Sequence, residues 1–370
     1  MSHAREIELD LTKSLVEDPR GGHNRWHPDI PAVLRCSPGE TVALQARDGY
    51  DGQINRYSTA ADVLTMNAAR IHPLTGPVYV EGAEPGDLLV VDVLSVETGD
   101  FGATLNIPGF GFLREEFTEP HVVRWEIADG FARSADLPGV RLPAAPFMGV
   151  MGVAPSRELF ERTRSAEQQV AKEGGLVELP NPTSAVPPDL PGDPARRTIS
   201  PTEAGGNIDI KHLTAGSRVY LPVWVAGALF SVGDGHFAQG DGESCGAAVE
   251  TTTRVVLRFD LRKRAATPGG VRHLRFERLS AGPPEVAARP HFAVTGVPMD
   301  TDGRIHPENL NLATRNALRM MVDHLADERG FTRAQAYALC SVAVDLRISN
   351  LVDVPNFAVT AILDLGVFDK

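Results

Sequence analysis

The sequence predicts a mainly β protein with a smaller α+β part, and two observations support this fold class. The first is composition: the 370 residues include 35 glycines and 28 prolines, together about 17% of the chain where about 12% is average. The second is a series of apolar, β-branched segments bounded by turn residues over the first two thirds of the chain. Short strands joined by many turns account for both, and a helical bundle is excluded.

The predicted strands are the most apolar segments. They cover Leu88 to Val96 (LLVVDVLSV), Arg218 to Phe230 and Arg254 to Phe259 (RVVLRF). Glycine turns precede apolar strands in SPGETVAL from Ser37 and EPGDLLVV from Glu84. Glycine supplies the positive φ that such turns need.

Helices are fewer. Ser156 is the predicted N-cap of a helix that runs to about Lys172. Apolar residues at helical spacing between Ala313 and Leu325 predict a second helix, and Thr332 with Gln335 forms a capping box that opens a third. In the second helix, we expect the side chains of Met320, Met321 and His324 to lie on the buried apolar face.

A proline-rich segment divides the chain. Residues 174–205 are poor in periodicity and too long for a simple connection, so they form either a linker or a long loop that covers a site. The predicted portions are a β-rich N-terminal domain with one helix (1–173), this segment (174–205), a β-rich catalytic portion (206–300) and a C-terminal α+β portion (301–370).

Charge and cysteine usage restrict the partners and the compartment. The chain carries 48 acidic and 36 basic residues, so the electrostatic attraction that drives nucleic-acid binding is missing. Three irregularly spaced cysteines support neither a disulfide framework nor a zinc finger, and the N-terminus lacks a signal-peptide core. The most apolar run, 219–232, is too short to cross a bilayer and contains Pro222. We therefore expect a cytoplasmic protein with neither nucleic acid nor membrane as a partner.

Candidate chemistry is concentrated in one segment, because Walker, GxSxG, HExxH and paired CxxC signatures are absent from the sequence. The segment is GDGHFAQGDGESC, residues 233–245, and it follows an apolar strand. Asp234 and His236 are two residues apart, so they face the same side of an extended chain and can reach one ion or one water. A structural hydrogen-bonded pair is the alternative. Glu243 and Cys245 end the segment.

A second polar segment lies upstream, EAGGNIDIK, residues 203–211. It begins with Glu203, and Asn207, Asp209 and Lys211 alternate onto one face of an extended chain. The glycine pair between them permits close backbone approach.

Two further residues have two interpretations each. Cys245 is either a nucleophile or, as is commoner for a thiol without a nearby base, a small buried hydrophobe. Trp26 lies in HNRWHPDIP, which begins at His23, and it either anchors that loop or lines a site.

Together these segments resemble the acetamidase/formamidase family of amide hydrolases. The matching blocks follow the family order: HNRWHPDIP (23–31), DGQI (51–54), LTGPVYVEGAEPGDLLVVDV (74–93), PGFGFL (108–113), PFMGVMGVAPS (146–156), GGNIDIK (205–211), SVGDGHFAQGDGE (231–243) and AYALCSVAVDLRISNLVDVPN (336–356). They extend over nearly the whole chain.

The resemblance implies a β-sandwich or barrel architecture, a homo-oligomer, and hydrolysis of short aliphatic amides, formamide or acetamide, to carboxylate and ammonia. It also implies a bound divalent metal, zinc or calcium, and the matching ligand positions are Asp209, Asp234 and His236. The other acids inside or beside matched blocks are Glu203, Asp241, Glu243 and Glu250.

The resulting hypothesis is a metal-activated water. Glu203 or Glu243 would carry its proton to the leaving ammonia, with Asp234 and His236 in the catalytic set, and Asn207 would donate a hydrogen bond to the developing oxyanion. Trp26 and Cys245 complete the predicted substrate-binding residues.

Two rival hypotheses are a Cys245 nucleophile and a non-catalytic protein that binds a small amide or a metal ion. One departure from the family pattern makes the second conceivable: Thr202 stands where an arginine usually precedes the glutamate.

Overall fold

The computed structural model describes residues 5–188, 190, 195–266, 274–279, 289–351 and 357–369. The strands of these residues are β1 Arg5–Ile7, β2 Gly22–His23, β3 Leu34–Cys36, β4 Thr41–Ala46, β5 Leu74–Val80, β6 Leu88–Asn106, β7 His121–Ala128, β8 Phe131–Arg133, β9 Arg141–Pro143, β10 Phe147–Val153, β11 Gly205–Asn207, β12 Ser217–Pro222, β13 Phe230–His236, β14 Glu250–Arg262, β15 Arg275–Arg278, β16 His291–Gly296, β17 Val344–Asn350 and β18 Ala358–Asp364. The helices are α1 Ala60–Thr65, α2 Arg157–Lys172, α3 Leu310–Arg329 and α4 Arg333–Ala343, with 3-10 turns at Ala68–Arg70 and Leu365–Val367.

A large sheet of fifteen strands contains most of this structure. Its spine is the antiparallel pair β6 and β14, which are matched from Glu250 opposite Ala103 to Arg262 opposite Leu88. Strand β4 pairs with the other edge of β14, and β12 with the first half of β6. Strands β10 and β5 flank β13. The sheet therefore branches around its two longest strands.

The branched sheet folds over one apolar core, which gives it two layers. The core residues include Val42, Leu44, Leu89, Val91, Val219, Leu221, Val255 and Leu257 from one layer, and Val78, Val80, Met148, Met151, Phe230 and Val232 from the other. Burial of each such side chain stabilises the fold by about 1.5 to 3 kcal/mol. The layers meet where β13 pairs with β14, at His236 opposite Glu250. The predicted mainly β, sandwich-type fold class is confirmed, and within the described residues the strands do not close into a barrel.

The C-terminal part is the smaller α+β portion. Strand β18 lies between β16 and β17 in a three-stranded antiparallel sheet, and α3 and α4 pack on it in a second apolar core. The helix predictions are confirmed: Ser156 caps α2, and the Thr332–Gln335 capping box opens α4. None of the helices described is long and apolar enough to cross a membrane.

Two local predictions were wrong. The segment Arg218 to Phe230 is not one strand, because β12 ends at Pro222 and a turn with Ala228 and Leu229 at positive φ precedes β13. Met320 is 39% exposed while its neighbour Met321 is fully buried, since two consecutive helical positions point about 100° apart. His324 is half-buried and stacks on Phe292.

Candidate active site

A cluster of acids and histidines lies at the corner where the two layers meet. His236, the last residue of β13, and Glu250, the first of β14, are both buried. His236 Nε2 lies 3.1 Å from Glu250 Oε2 and 3.4 Å from Asp234 Oδ2. Asp234 and His236 of one strand therefore bring their side chains to one point, as the sequence predicts, although the backbone of Asp234 is left-handed and not extended.

The backbone brings Asp234 of β13 close to Asp209, which lies in the loop after β11. Asp234 (φ +57) and Asp209 (φ +45) both have left-handed backbone conformations, and the amide of Asp209 donates to the carbonyl of Gly149 at 3.2 Å. A Cβ at position 149 would lie 2.6 Å from Asp209 Oδ1 and 2.6 Å from Asp234 Oδ2. Glycine at this position of β10 thus leaves room for the two carboxylates.

Burial acts strongly on the carboxyl groups of this cluster. It raises the pKa of Glu243 and of Glu250 to about 8 each, and it raises that of Asp209 well above its usual range. The charge of His236 opposes this increase in all three groups, and the charge of Asp234 adds to it. A carboxyl group that keeps a proton near neutral pH suits general acid–base catalysis.

The two histidines affect Asp234 in the opposite direction. Burial opposes ionisation of Asp234, but His72 and His236 lower its pKa below the usual range. His72 Nε2 lies 3.9 Å from Asp234 Oδ1. Burial likewise opposes the charged form of His236, yet Glu250 and Asp234 raise the pKa of His236 well above its usual value. The acids and histidines of this buried cluster therefore interact strongly through their charges.

These donors fit a divalent metal ion. Ligand atoms of Asp209, Asp234 and His236 all lie within 4.8 Å of one another, and those of His236, Glu243 and Glu250 form a second such group. Asp209 Oδ1, His236 Nε2 and Glu250 Oε2 are buried, and within the described part of the chain they have no well-directed hydrogen bond. Carboxylate oxygen and imidazole nitrogen are ordinary ligands of zinc.

Gln239 fixes the orientation of the His236 ring. Its Nε2 donates to the carbonyl oxygen of Asp209 at 2.8 Å, and a carbonyl oxygen only accepts. Its Oε1 must therefore face His236 Nδ1, which lies 2.9 Å away. Because Oε1 also only accepts, one proton stays on Nδ1, and Nε2, which faces the acids, is the nitrogen that a metal ion would bind in place of a proton.

A cavity of about 460 Å³ opens onto this cluster. Its polar floor includes Tyr50, His72, Asn207, Asp209, Asp234, Glu243 and Glu250, and its apolar wall includes Ile71, Ile107, Pro108, Phe110, Phe112, Leu176 and Ile199. Leu176, Glu178 and Arg197 come from the proline-rich segment. The described part of that segment therefore contributes side chains to the lining of the cavity.

The remaining sequence-predicted residues lie elsewhere, apart from Asn207 in the cavity. Glu203 Oε1 accepts from Arg162 Nη2 of α2 at 2.5 Å, so α2 supplies a cation next to the glutamate that follows Thr202. Trp26 packs with Leu74 and Val150.

Cys245 is buried, and its Sγ lies 3.4 Å from the carbonyl oxygen of Leu105. Burial raises the pKa of this thiol to about 12. Neither Glu203, Trp26 nor Cys245 is among the residues that line the cavity.

Several residues of the site have no role in the sequence hypothesis. His72 and Tyr50 are brought to the cavity from distant loops, Gln239 lies beside His236, and Glu250 appears in the hypothesis only as an acid without a role. Gln239 had a usable signal, because it lies three residues after His236 in the same polar segment.

This chain is similar to known proteins over nearly its whole length. Residues 8–370 match the model of the Acetamidase/Formamidase family. The formamidase of Methylophilus methylotrophus is 34% identical over 98% of this chain and 93% of that protein. The acetamidase of Mycolicibacterium smegmatis is 33% identical over 90% and 88%, respectively. The structure of a gamma lactamase from Delftia acidovorans is similar, with a TM-score of 0.92, 34% identity and coverage of 99% and 94%. The resemblance seen in the sequence is confirmed, and the chain belongs to the acetamidase/formamidase family of amide hydrolases.

Proposed function

We propose that this protein hydrolyses short aliphatic amides to a carboxylate and ammonia, with a divalent ion held by Asp209, Asp234 and His236. The observation that carries this proposal is the convergence of their ligand atoms within 4.8 Å, with Asp209 Oδ1 and His236 Nε2 buried and without a well-directed hydrogen bond among the described residues. Zinc is the proposed ion, because a nitrogen ligand suits zinc whereas calcium takes oxygen ligands. Such an ion polarises a carbonyl and lowers the pKa of water from 15.7 to about 7.

The proton transfers are assigned to Glu243. Amide hydrolysis forms a C–O bond to water and breaks the C–N bond, so one proton must move from the water to the leaving nitrogen. Glu243 lines the cavity, and burial raises its pKa to about 8, close to the pH at which it must both accept and release a proton. Glu203 points to Arg162 instead and is not used in this proposal.

The Cys245 nucleophile is disfavoured as a rival. A thiol with a pKa of about 12 carries almost no thiolate at neutral pH, and only the thiolate is an effective nucleophile. The sulfur lies outside the cavity lining. Cys245→Ala should therefore keep most of the turnover, and loss of nearly all turnover in this variant would restore the rival.

The decisive experiment measures ammonia release from formamide, acetamide and propionamide by the purified protein, with its metal content. We expect activity that a chelator removes and added zinc restores. His236→Ala should lose both activity and metal. His291→Ala is the matched control, because His291 is exposed on the small sheet. Full activity after chelation would refute the metal, and no ammonia from any amide would support the non-catalytic rival.

A larger or cyclic amide is a second candidate substrate. A cavity of about 460 Å³ with an apolar wall is larger than formamide or acetamide requires, since cavities of 300 to 1,000 Å³ typically bind drug-sized ligands. The gamma lactamase with the similar fold acts, by its name, on a cyclic amide. A higher kcat/KM for a five-membered lactam or for hexanamide than for formamide would establish this candidate, and the reverse order would exclude it.

Two broader predictions belong to the same proposal. The three buried cysteines are free thiols, which suits a reducing compartment such as the cytoplasm. The homo-oligomer implied by the family resemblance is checked by light scattering of the purified protein.

A further inference from the structure

Tyr50 places an unpartnered hydroxyl group at the cavity. The residue is 6% exposed and lines the cavity, and its hydroxyl is fully buried without a hydrogen-bond partner among the described residues. Leaving a buried hydroxyl unsatisfied costs about 1 to 3 kcal/mol. A bound ligand that supplies the missing hydrogen-bond partner would remove this cost and would explain why the Tyr50 hydroxyl lies beside the acids of the site.

The position of this hydroxyl is fixed by the surrounding structure. The side chain of Asp48 accepts from the backbone amides of Tyr50 and Gly52 at 3.0 and 3.1 Å, which holds the turn after β4. The aromatic ring belongs to a buried apolar cluster with Ile71 and Leu105. A donor that is held rigidly before the substrate arrives needs little reorganisation during the reaction.

Asn207 presents the complementary group. Its Nδ2 donates to the carbonyl oxygen of Ile199 at 3.2 Å, and this fixes the orientation of the side-chain amide because a carbonyl oxygen only accepts. Its Oδ1 is therefore the acceptor; this atom is buried, has no hydrogen-bond partner among the residues that the structure describes, and belongs to a residue that lines the cavity. The sequence hypothesis has Asn207 donate to an oxyanion, whereas this geometry offers its oxygen.

We propose that Tyr50 and Asn207 recognise the two polar ends of the substrate amide: the Tyr50 hydroxyl donates to the carbonyl oxygen, and Asn207 Oδ1 accepts from the amide N–H. This inference rests on the proposed amide hydrolysis. One fixed donor and one fixed acceptor match the primary amide group, which has one strong acceptor and two donors. An ester lacks the N–H groups, so Asn207 selects amides against esters of the same size.

The test for Tyr50 is Tyr50→Phe, which removes one oxygen atom. We expect kcat for acetamide to fall by 10²- to 10³-fold, the effect of removing one oxyanion donor, with metal content and melting temperature kept. Inhibition by methylboronic acid, a tetrahedral mimic, should weaken by a similar factor, and KM should change little. Tyr57→Phe is the control, because Tyr57 is 87% exposed in the same region.

The test for Asn207 compares acetamide with methyl acetate. Asn207→Ala should lower kcat/KM for the amide by about tenfold, as expected for loss of one hydrogen bond to a buried group, and should leave the ester rate within about twofold. If Tyr50→Phe keeps kcat and boronate affinity within about threefold, or if Asn207→Ala leaves the amide-to-ester ratio unchanged, the recognition inference is overturned. If the wild-type protein releases no ammonia, the proposed function itself fails.

Discussion

The pKa values of buried acids shift in opposite directions in two regions of this protein, around Asp92 and at the layer corner. Asp92 in β6 is 4% exposed and lies between two cross-strand arginines, with Arg218 Nε at 2.5 Å and Arg258 Nε at 3.2 Å. These hydrogen bonds, with that of Arg218 the strongest, lower the pKa of Asp92 although burial opposes them. At the layer corner, burial and the charge of Asp234 instead raise the pKa of Glu250, although His236 opposes the increase. The fold neutralises Asp92 with two arginines, whereas at the corner it places several acids around one histidine cation, His236, which leaves the corner in need of further positive charge.

The largest effect should come from removing one charge of the corner cluster. Asp234→Asn keeps the shape of the side chain but removes a carboxylate that lies 3.4 Å from His236 Nε2. We expect ammonia release to fall by about 10³-fold, and metal analysis to find less than one tenth of the wild-type content. Asp92→Asn is the matched control and should keep full activity. Equal loss of activity in both variants would abolish the contrast between the two groups.

A smaller effect should follow from releasing the His236 ring. Gln239→Leu removes the acceptor at Nδ1, and partners of this kind typically contribute 10- to 100-fold to metal affinity. We expect zinc affinity, measured by calorimetry, to fall within that range, with the protein still folded. Gln169→Leu on the exposed face of α2 serves as the control. An unchanged affinity would mean that ring orientation does not depend on Gln239.

The pH dependence of stability should differ with and without metal. Glu243 and Glu250 have folded-state pKa values of about 8 against ordinary values of 4.5, so the folded state holds protons that the unfolded chain releases. The metal-free protein should therefore lose stability as the pH rises from about 5 to about 8. Zinc favours the ionised carboxylates and should suppress this loss. The melting temperature is measured across this pH range in chelator and in zinc. A difference between the two series that does not change with pH would contradict this prediction.

The sequence predicts the strand residues of the site better than its loop residues. Asp234 and His236 follow from the period of two along a strand, and they converge as expected. Glu203 does not join them. It lies in the tight turn between Thr202 and Gly205, and its carboxylate accepts a hydrogen bond from Arg162 of α2. Tyr50 and His72 carry no local signal, since the chain must fold before distant loops bring them to the cavity.

The same reason applies to the fold. The capped helices are predicted correctly because their signals are local, as with Ser156 and the Thr332 capping box. The single predicted strand from Arg218 to Phe230 fails because apolar composition alone does not reveal the turn at Ala228 and Leu229. Nor does the sequence show that His236 pairs with Glu250, the contact that joins the two layers.

The smallest effect is expected at Asp92, and it is an effect on stability alone. Its pKa is lowered from 3.8 by hydrogen bonds to Arg218 and Arg258, so the stabilisation is present above that ordinary value and is lost as the pH falls through the depressed one. Asp92→Asn should lower the free energy of unfolding at pH 7 by about 1 to 3 kcal/mol, the range for hydrogen bonds to charged groups. Urea unfolding at pH 7 and at pH 3 measures this free energy. The difference in free energy of unfolding between Asp92→Asn and the wild type should be smaller at pH 3. A difference that stays constant would mean that the arginines stabilise the amide as well as the carboxylate, and the ionic contrast with the corner cluster would then not hold.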